Sequence, residues 1–401
     1  MIAASAAAAD QTPAPKPDAV TLAKVRHLLR EAPLIDGHND LPWQYRKYKN
    51  DLAAIDLARD TSKLKPPLVT DIPRLRQGCV GALFWAVFVR PEPGGPVPVQ
   101  AMFEQIDVTR RMVAHWSETF ELALTATDVQ RIHRRGKIAS LIGIEGGHCI
   151  NNSLAVLRMA QALGARYLTL THTKNTDWAD AAGDKPQHHG LTPFGEDVVR
   201  ELNRLGMLVD LSHVTDDTMR AALKVSRAPV IFSHSSVRAL CNSPRNVPDD
   251  VLKLTASNGG VVMICFLPGY LTERGRLAME ASEAEKARLA KLYPEDSTDY
   301  KQALAEWRRA HPSPHEAGIS DVADHIDHVR KVAGIDHIGI GSDFEGFTGA
   351  LDGLEDVSCY PALLAELLRR GYGAKDVKKV AGLNLLRVMR EAEKVSTRLN
   401  R

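Results

Sequence analysis

The sequence predicts a (β/α)8, or TIM, barrel. Two observations lead to this fold class: eight short apolar runs alternate with longer amphipathic stretches, and most runs are near-continuous Val, Ile and Leu. Continuous apolar runs are typical of strands buried on both faces, and their alternation with helices indicates a parallel sheet. The length of 401 residues is enough for one such barrel in one domain.

The predicted elements follow from these runs in chain order. The strands are 33–40, 79–88, 137–146, 165–172, 207–213, 228–236, 259–266 and 337–344. Helical spacing or turn residues predict helices at 100–116, 154–163, 215–225, 361–370 and 376–394. Thr192 before Pro193 resembles an N-cap that begins a further helix up to Leu205, and Gly206 stands where a C-cap glycine belongs.

Two segments fall outside this alternation. The stretch 267–335 between strands seven and eight is too long for a simple crossover, so it predicts a helical insertion. Residues 1–20 are rich in Ala and Pro and predict either a disordered tail or the remnant of a signal peptide. Export to the periplasm is expected in the second case and a cytoplasmic location in the first. Residues 21–401 are then the single barrel domain.

Composition excludes several classes of function. Lys and Arg number 51 against 49 Asp and Glu, and a net charge of +2 gives no field that favours nucleic acid. No apolar run approaches the roughly 18 residues that a membrane span needs. The five cysteines are scattered and form no C-x-x-C pair, so neither a disulfide framework nor a thiolate zinc site is expected.

Ionisable side chains follow most of the predicted strands at the same end. In a (β/α)8 barrel this carboxyl end carries the active site. The residues are His38, Asp40, Glu145, His172, His213, His234 and Asp343. One strand-end histidine is more often structural, but this many unpaired charges on one rim would be costly without a cation. Nitrogen and oxygen ligands without thiolates indicate zinc or a similar divalent ion. Other histidines on predicted helices, including His325, are expected to be exposed.

The spacing of these residues suggests two ions. His38 and Asp40 are two positions apart, so in an extended segment they project to one side and can hold one ion. His213 and His234 end adjacent predicted strands and can hold another, while the two oxygens of Glu145 can bridge. A water between two ions has its pKa lowered toward about 7, which gives hydroxide at neutral pH.

Seven short motifs occur in order along the predicted barrel. They are DGHNDLPW (36–43), IEGGH (144–148), LTLTH with NT and WAD (168–180), LSHV (211–214), FSHSS (232–236), RNVPDD (245–250) and GIGSDFEG (339–346). Each motif alone is a weak indicator of a family, but seven motifs in the same order are a specific one. By these motifs the chain resembles the membrane (renal) dipeptidase family, zinc metallopeptidases of the amidohydrolase-like superfamily.

The resemblance implies a centre with two Zn²⁺ ions. It implies that His38, Asp40 and Glu145 hold one ion. The other ion would be held by Glu145, His213 and His234, with Glu145 and a water or hydroxide as bridges. The common amidohydrolase pattern has H-x-H on the first strand and often a carboxylated lysine as bridge. Here H-x-D and a glutamate take those places, which is the dipeptidase variant.

The resemblance also implies roles for three residues beside the ions. His172 would contact the scissile group, Arg245 would bind the terminal carboxylate of the substrate, and Asp343 would contact the bridging water. The implied activity is hydrolysis of dipeptides through a metal-bridging hydroxide, with L-Xaa-D-Xaa substrates left open. Lys174, where vertebrate members have a cysteine, and the insertion at 267–335 indicate a bacterial member.

Two alternatives remain open. Another amidohydrolase reaction, on a lactone, ester, cyclic amide or acetylated amine, would use the same metal pair. Such a reaction would need no cation to bind a free carboxylate. Arg245 supplies a cation of this kind unless it pairs with Asp249 or Asp250. A binding or scaffold protein with a vestigial site would have lost a ligand, and none is lost. The expected partner is a small dipeptide, without nucleic acid or membrane insertion, and a homodimer is left open.

Overall fold

The chain enters the fold through a helix that precedes the first strand. This computed structural model describes residues 16–295, 297–311, 317–347 and 351–401. The helix Ala19–Glu31 begins after Asp18, whose carboxylate accepts the N–H of Thr21 at 2.9 Å as an N-cap. Of the predicted tail, residues 1–15 lie outside the described residues.

Parallel strands form the centre of the molecule. They are β1 (Leu34–Asn39), β2 (Val80–Phe88), β3 (Phe120–Leu122), β4 (Ile138–Glu145), β5 (Ala165–Thr169), β6 (Leu208–Asp210), β7 (Ile231–Phe232), β8 (Val261–Ile264) and β9 (Ile338–Ile340). Their order is β2-β1-β9-β8-β7-β6-β5-β4-β3, and β2 also pairs with β4 over Ala82↔Ala139 to Phe88↔Glu145. This last pairing closes an eight-stranded barrel, so the predicted fold class is confirmed.

The strand β3 is the one that sequence analysis missed. It pairs only with the first half of β4, from Phe120↔Ile138 to Leu122↔Ser140, on the edge where β5 pairs with the second half. A strand of three residues is too short to show a period in the sequence. It lies outside the closed ring of eight, each of which falls within a predicted run.

Side chains fill the barrel interior and set the position of the first candidate ligand. Ile35, Phe84 and Tyr167 are fully buried there. Gly143 on β4 leaves the space that the Tyr167 ring occupies, because a Cβ at this glycine would lie 1.9 Å from the ring. The Tyr167 hydroxyl can therefore reach across the barrel to Nδ1 of His38, 2.8 Å away.

Helices surround this barrel. The longer ones are Val97–His115, Ala126–Arg134, Leu154–Ala162, Pro193–Leu205, Asp216–Val225, Asp249–Asn258, Ile319–Val332, Tyr360–Arg369 and Asn384–Leu399. Shorter ones are Leu41–Lys47, Ile72–Gln77, Pro268–Leu271 and Ala374–Lys378. The helix predicted from Thr192 is confirmed. The Thr192 hydroxyl accepts the N–H of Gly195 as an N-cap, and the helix ends at Gly206, which has a left-handed φ of 68°. Within the described residues, no helix combines the length and apolarity that crossing a membrane requires.

The helix predicted over 376–394 is wrong as a continuous element. It is interrupted by a wider turn at Lys379–Leu383, between Ala374–Lys378 and Asn384–Leu399. At Gly382 a Cβ would lie 2.3 Å from the carbonyl oxygen of Pro33. The chain passes β1 so closely here that a regular helix with a larger residue would not fit.

The predicted insertion contains the helices Glu273–Ala290 and Thr298–Ala310, whose surfaces are mostly exposed and charged. The following helix, Ile319–Val332, packs on the barrel and supplies the crossover to β9. The expectation that His325 is exposed is wrong. Its ring is fully buried on the inner face of this helix, where Nδ1 accepts the N–H of Val237 and Nε2 donates to the carbonyl of Leu271.

Candidate metal centre

The strand ends bring all seven predicted side chains together. His38 and Asp40 come from the end of β1, Glu145 from β4, His172 and His213 from the segments after β5 and β6, His234 from after β7 and Asp343 from after β9. His213 and Asp343 have positive φ angles, 70° and 65°. A left-handed backbone turn at these positions is strained for ordinary residues and is common at functional sites.

Glu145 lies at the centre of the group. Its Oε1 is 3.0 Å from Nε2 of His213, 3.4 Å from Nε2 of His234 and 3.6 Å from Nε2 of His172. Its Oε2 is 3.6 Å from Nε2 of His38. One carboxylate therefore faces imidazole nitrogens from both sides of the barrel, as a bridging ligand would.

A second set of contacts surrounds His38. Its Nε2 lies 3.3 Å from Oδ2 of Asp40 and 4.0 Å from Oδ1 of Asp343. The side chains compatible with holding an ion form three overlapping groups: His38 with Glu145 and His234, Glu145 with His172 and His213, and His38 with Asp40 and Asp343. His234 belongs to the group of His38, and its Nε2 also lies 2.8 Å from Nε2 of His213, so it is within reach of the other histidines as well. Asp343 belongs to the group of His38 and Asp40, so it lies among the candidate ligands and not outside them.

The residues fit divalent ions. Ligand atoms about 2.0–2.2 Å from a tetrahedral zinc ion are roughly 3.3 Å from one another, which is the scale of the contacts around Glu145. Nε2 of His38 is buried and has no hydrogen-bond partner among the described residues. A buried polar atom without a partner is costly, and an ion in its path would satisfy it.

The opposite ring nitrogens are held by the fold. Nδ1 of His38 lies 2.8 Å from the Tyr167 hydroxyl, and Nδ1 of His234 lies 2.8 Å from the hydroxyl of Ser233. Ser233 in turn contacts Asp210. Such outer contacts orient metal-binding histidines and select their tautomers. Tyr167, Ser233 and Asp210 were not predicted as site residues, although Ser233 lies within the FSHSS motif and Asp210 directly precedes LSHV.

Burial and neighbouring charges set the protonation of the centre. Burial opposes ionisation of Glu145, but the four imidazoles that face it, His38 foremost, together outweigh burial and hold the pKa of this carboxyl well below its usual range. Burial, together with nearby Arg245, holds the pKa of His213 and of His234 well below the ordinary histidine value. Burial opposes the charged form of His38, but Tyr167 and the carboxylates of Glu145 and Asp40 outweigh it and raise the pKa of His38 well above the ordinary histidine value. An ionised Glu145 and neutral His213 and His234 are the forms that bind metal, and His38 would release a proton when an ion binds.

One side of the centre is open. The side chains of His172 and Asp343 are 16% and 14% exposed, whereas those of His38 and His234 are 0% and 1% exposed. Burial, the first cause, lowers the pKa of His172 to about 4, so its ring is neutral and has one N–H to donate. A substrate would therefore meet His172 and Asp343 before it met the other residues.

Arg245 lies buried at the rim without a carboxylate partner among the described residues. Its guanidinium donates weakly to the hydroxyl of Ser235 at 3.4 Å and to the carbonyl of His234 at 3.2 Å, and its Nε has no partner there. The alternative of a structural pair is not what the structure shows, because Asp249 contacts His328 and Asp250 contacts Arg220.

The guanidinium of Arg245 lies over the ring of Tyr270, 5.0 Å from its centroid. Tyr270 is half-buried in the short helix after β8, and sequence analysis did not identify it. The aromatic face holds the planar guanidinium in place while leaving its edge free. A buried cation whose Nε has no partner among the described residues, and whose other nitrogens make only long hydrogen bonds, is prepared for an anionic ligand.

A family model and a curated protein match nearly the whole of this chain. A family model described as membrane dipeptidase (peptidase family M19) matches residues 22–401. Dipeptidase 3 of Macaca fascicularis is 44% identical over 379 residues, which cover 93% of this chain and 67% of that protein.

Solved structures resemble the whole barrel. The probable dipeptidase PvdM from Pseudomonas aeruginosa has a TM-score of 0.77 at 26% identity, covering 94% of this chain and 99% of that one. A metallopeptidase from Rhodobacter sphaeroides, solved with a phosphinate mimic of the dipeptide L-Ala-D-Ala, has a TM-score of 0.70 at 25% identity, covering 90% and 99%.

Proposed function

Because the chain belongs to the membrane dipeptidase family of metallopeptidases, and is therefore a peptide-bond hydrolase, we propose that it cleaves dipeptides at a centre of two zinc ions. The observation that carries this proposal is the buried guanidinium of Arg245, which has no carboxylate partner in the described part of the chain and lies beside the cluster around Glu145. A free carboxylate at a fixed distance from the peptide bond distinguishes a dipeptide from other amides.

The proposed ligands are those that converge on Glu145. His38 and Asp40 would hold one ion and His213 and His234 the other, with the two oxygens of Glu145 shared between them. When bound, the ions would supply a water that is activated as a nucleophile at neutral pH and a Lewis acid for the scissile carbonyl. The contacts of His38 and His234 to Tyr167 and Ser233 keep the ligating nitrogens turned inward.

Two open side chains would act on the substrate. Asp343, 4.0 Å from Nε2 of His38, would accept the proton of the attacking water and return it to the leaving amine nitrogen. Acid–base work of this kind typically contributes about 10²–10⁴-fold. The neutral ring of His172 would donate a hydrogen bond to the carbonyl oxygen as its charge grows, an interaction that is worth roughly 3 kcal/mol in comparable sites.

Arg245 would bind the carboxylate at the C-terminus of the substrate. Its planar edge suits bidentate capture of a carboxylate, and the stack on Tyr270 reduces the entropy lost on binding. The related Rhodobacter structure was solved with a mimic of L-Ala-D-Ala, which supports the proposal that L-Xaa-D-Xaa dipeptides are among the substrates.

Three further features remain predictions. Export to the periplasm is supported by the small-residue composition of residues 1–20. A bacterial origin is supported by Lys174 and the insertion, although the macaque relative is 44% identical. The third prediction is that the protein forms a homodimer.

A substrate panel tests the proposal. The protein is stripped with a chelator, reloaded with zinc and assayed on L-L and L-D dipeptides, an N-acetylated amino acid and a lactone. We expect dipeptide hydrolysis that chelation removes and zinc restores. Cleavage of the lactone or the acetylated compound in preference to every dipeptide would favour the alternative amidohydrolase reaction.

A further inference from the structure

Asp210, at the end of β6, is fully buried and accepts four hydrogen bonds. Its Oδ1 accepts the backbone N–H groups of Ser212 at 3.1 Å and Ser233 at 2.8 Å. Its Oδ2 accepts the hydroxyls of Thr169 at 2.6 Å and Ser233 at 2.5 Å. All four hydrogen bonds run toward the carboxyl oxygens, so both oxygens of Asp210 act as acceptors.

The hydrogen bond to Asp210 determines whether the Ser233 hydroxyl donates or accepts in its contact with His234. A serine hydroxyl has one hydrogen to donate, and Ser233 donates it in the 2.5 Å hydrogen bond to Oδ2 of Asp210. The Ser233 oxygen also lies 2.8 Å from Nδ1 of His234. With its own proton committed, this oxygen accepts, so the hydrogen on the His234 ring is on Nδ1.

A neutral imidazole with its hydrogen on Nδ1 has a lone pair on Nε2. The Nε2 of His234 lies 3.4 Å from Oε1 of Glu145 and 2.8 Å from Nε2 of His213, inside the proposed metal centre. We infer that the chain Asp210–Ser233–His234 fixes the tautomer of His234 before any ion binds and makes Asp210 and Ser233 positioning residues for the metal. This inference rests on the metal site proposed above.

The fixed tautomer distinguishes His234 from its neighbour. Nδ1 of His213 is buried and has no hydrogen-bond partner among the described residues, so no outer partner holds its tautomer. In the metal-free protein its hydrogen lies on Nε2, because that atom faces the lone pair of His234 Nε2 at 2.8 Å and Oε1 of Glu145 at 3.0 Å. Outer partners of this kind typically contribute 10–100-fold in metal affinity. The chain is therefore expected to act on the ion that His234 binds.

The Asp210→Asn variant reverses the direction of the hydrogen bonds from residue 210 through Ser233 to His234, while the side chain keeps nearly the same shape. The two backbone N–H groups keep the amide oxygen of the new side chain on their side, so its NH₂ faces the Ser233 oxygen. Ser233 then accepts this hydrogen bond and turns its own proton toward Nδ1 of His234. The ring hydrogen moves to Nε2, where it blocks a ligand position.

The test reads the tautomer in the metal-free, full-length protein with ¹⁵N-labelled histidine, and zinc affinity by competition with a chromophoric chelator. We expect His234 to carry its hydrogen on Nδ1 in the wild type and on Nε2 in Asp210→Asn, with zinc bound about 10–100-fold more weakly by the variant. The matched control is Ser236→Ala, which removes an equally buried hydroxyl that donates to the carbonyl of Cys265. The control should retain the wild-type tautomer and affinity.

A wild-type His234 with its hydrogen on Nε2 would overturn the inference, as would an unchanged tautomer in Asp210→Asn, whatever its zinc affinity. If that variant fails to fold, Ser233→Ala replaces it, since it removes the acceptor and should give mixed tautomers and weaker zinc binding. Wild-type tautomer and affinity in Ser233→Ala would overturn the inference equally. If wild-type tautomers are as expected but no zinc binds, the proposed function fails instead.

Discussion

The Nε2 atom of His213 lies 3.0 Å from Oε1 of Glu145. These atoms come from segments after β6 and at the end of β4, and the opposite carboxylate oxygen faces His38 from β1. The single carboxylate thus connects ligands that the barrel brings in from opposite sides. Several of the predicted effects of mutation depend on this arrangement.

Replacing Glu145 with Gln should lower metal content and activity together. The amide retains one oxygen acceptor but loses the charge and the second ligand oxygen. The loss of zinc affinity should exceed the roughly 10–100-fold typical of an outer partner. Zinc content by mass spectrometry and turnover of a dipeptide measure the two effects.

Glu366→Gln is the matched control for this change. Glu366 is also buried, but it pairs with Arg369 and Arg370 on a helix. Its replacement should cost stability and leave the zinc stoichiometry unchanged. A Glu145→Gln protein that keeps two tightly bound zinc ions and full activity would contradict the bridging role.

Replacing Asp343 with Asn should reduce kcat by about 10²–10⁴-fold and leave the zinc content close to that of the wild type. Burial and the nearby carboxylate of Asp40 hold the pKa of Asp343 well above its usual range, which suits a group that takes and returns a proton. The assay is kcat on zinc-loaded protein with metal content measured on the same sample. Near wild-type turnover would rule out the proton transfer, and equal loss of zinc would show that Asp343 is a ligand.

Acid should destabilise the protein partly through His325, a residue outside the metal centre. Burial lowers the pKa of His325 from 6.5 to about 4, so the folded protein binds this proton more weakly than the unfolded chain does. The neutral ring contributes its full stability above pH 6.5, and at most about 3 kcal/mol is lost as the pH falls from 6.5 through 4.

Thermal melting of the wild type and His325→Asn at pH 7, 6 and 5 measures this contribution. The variant should melt lower at pH 7, because the two ring hydrogen bonds are lost, and the gap should shrink as the pH falls. The exposed His27 supplies the control His27→Asn, which should leave the melting temperature nearly unchanged. A gap that is constant or widens toward pH 5 would contradict the argument.

The barrel and its rim can be predicted from the sequence because both depend on local signals. A strand buried on both faces is a continuous apolar run, and its last residue lies on the active-site face in any (β/α)8 barrel. This is why His38 and Glu145, 107 positions apart in the chain, could be assigned to one site.

The missed features depend on contacts between distant segments. Tyr167 reaches His38 because Gly143 on the neighbouring strand leaves room for its ring, and no local pattern reports that space. His325 lies on a helix that looks half-exposed, and its burial follows from the carbonyl of Leu271 and the N–H of Val237. Tyr270 becomes significant only because Arg245, 25 positions earlier, stacks on it.

The most direct test of the account compares a dipeptide with its C-terminal amide in the wild type and in Arg245→Met. We expect amidation to reduce kcat/KM by roughly 100-fold or more, since breaking a buried charge pair costs about 3 kcal/mol or more. Arg245→Met should lose about as much on the free dipeptide, and the two losses should not add, because each removes the same contact. A wild-type protein that cleaves the amide as well as the free dipeptide would contradict the account.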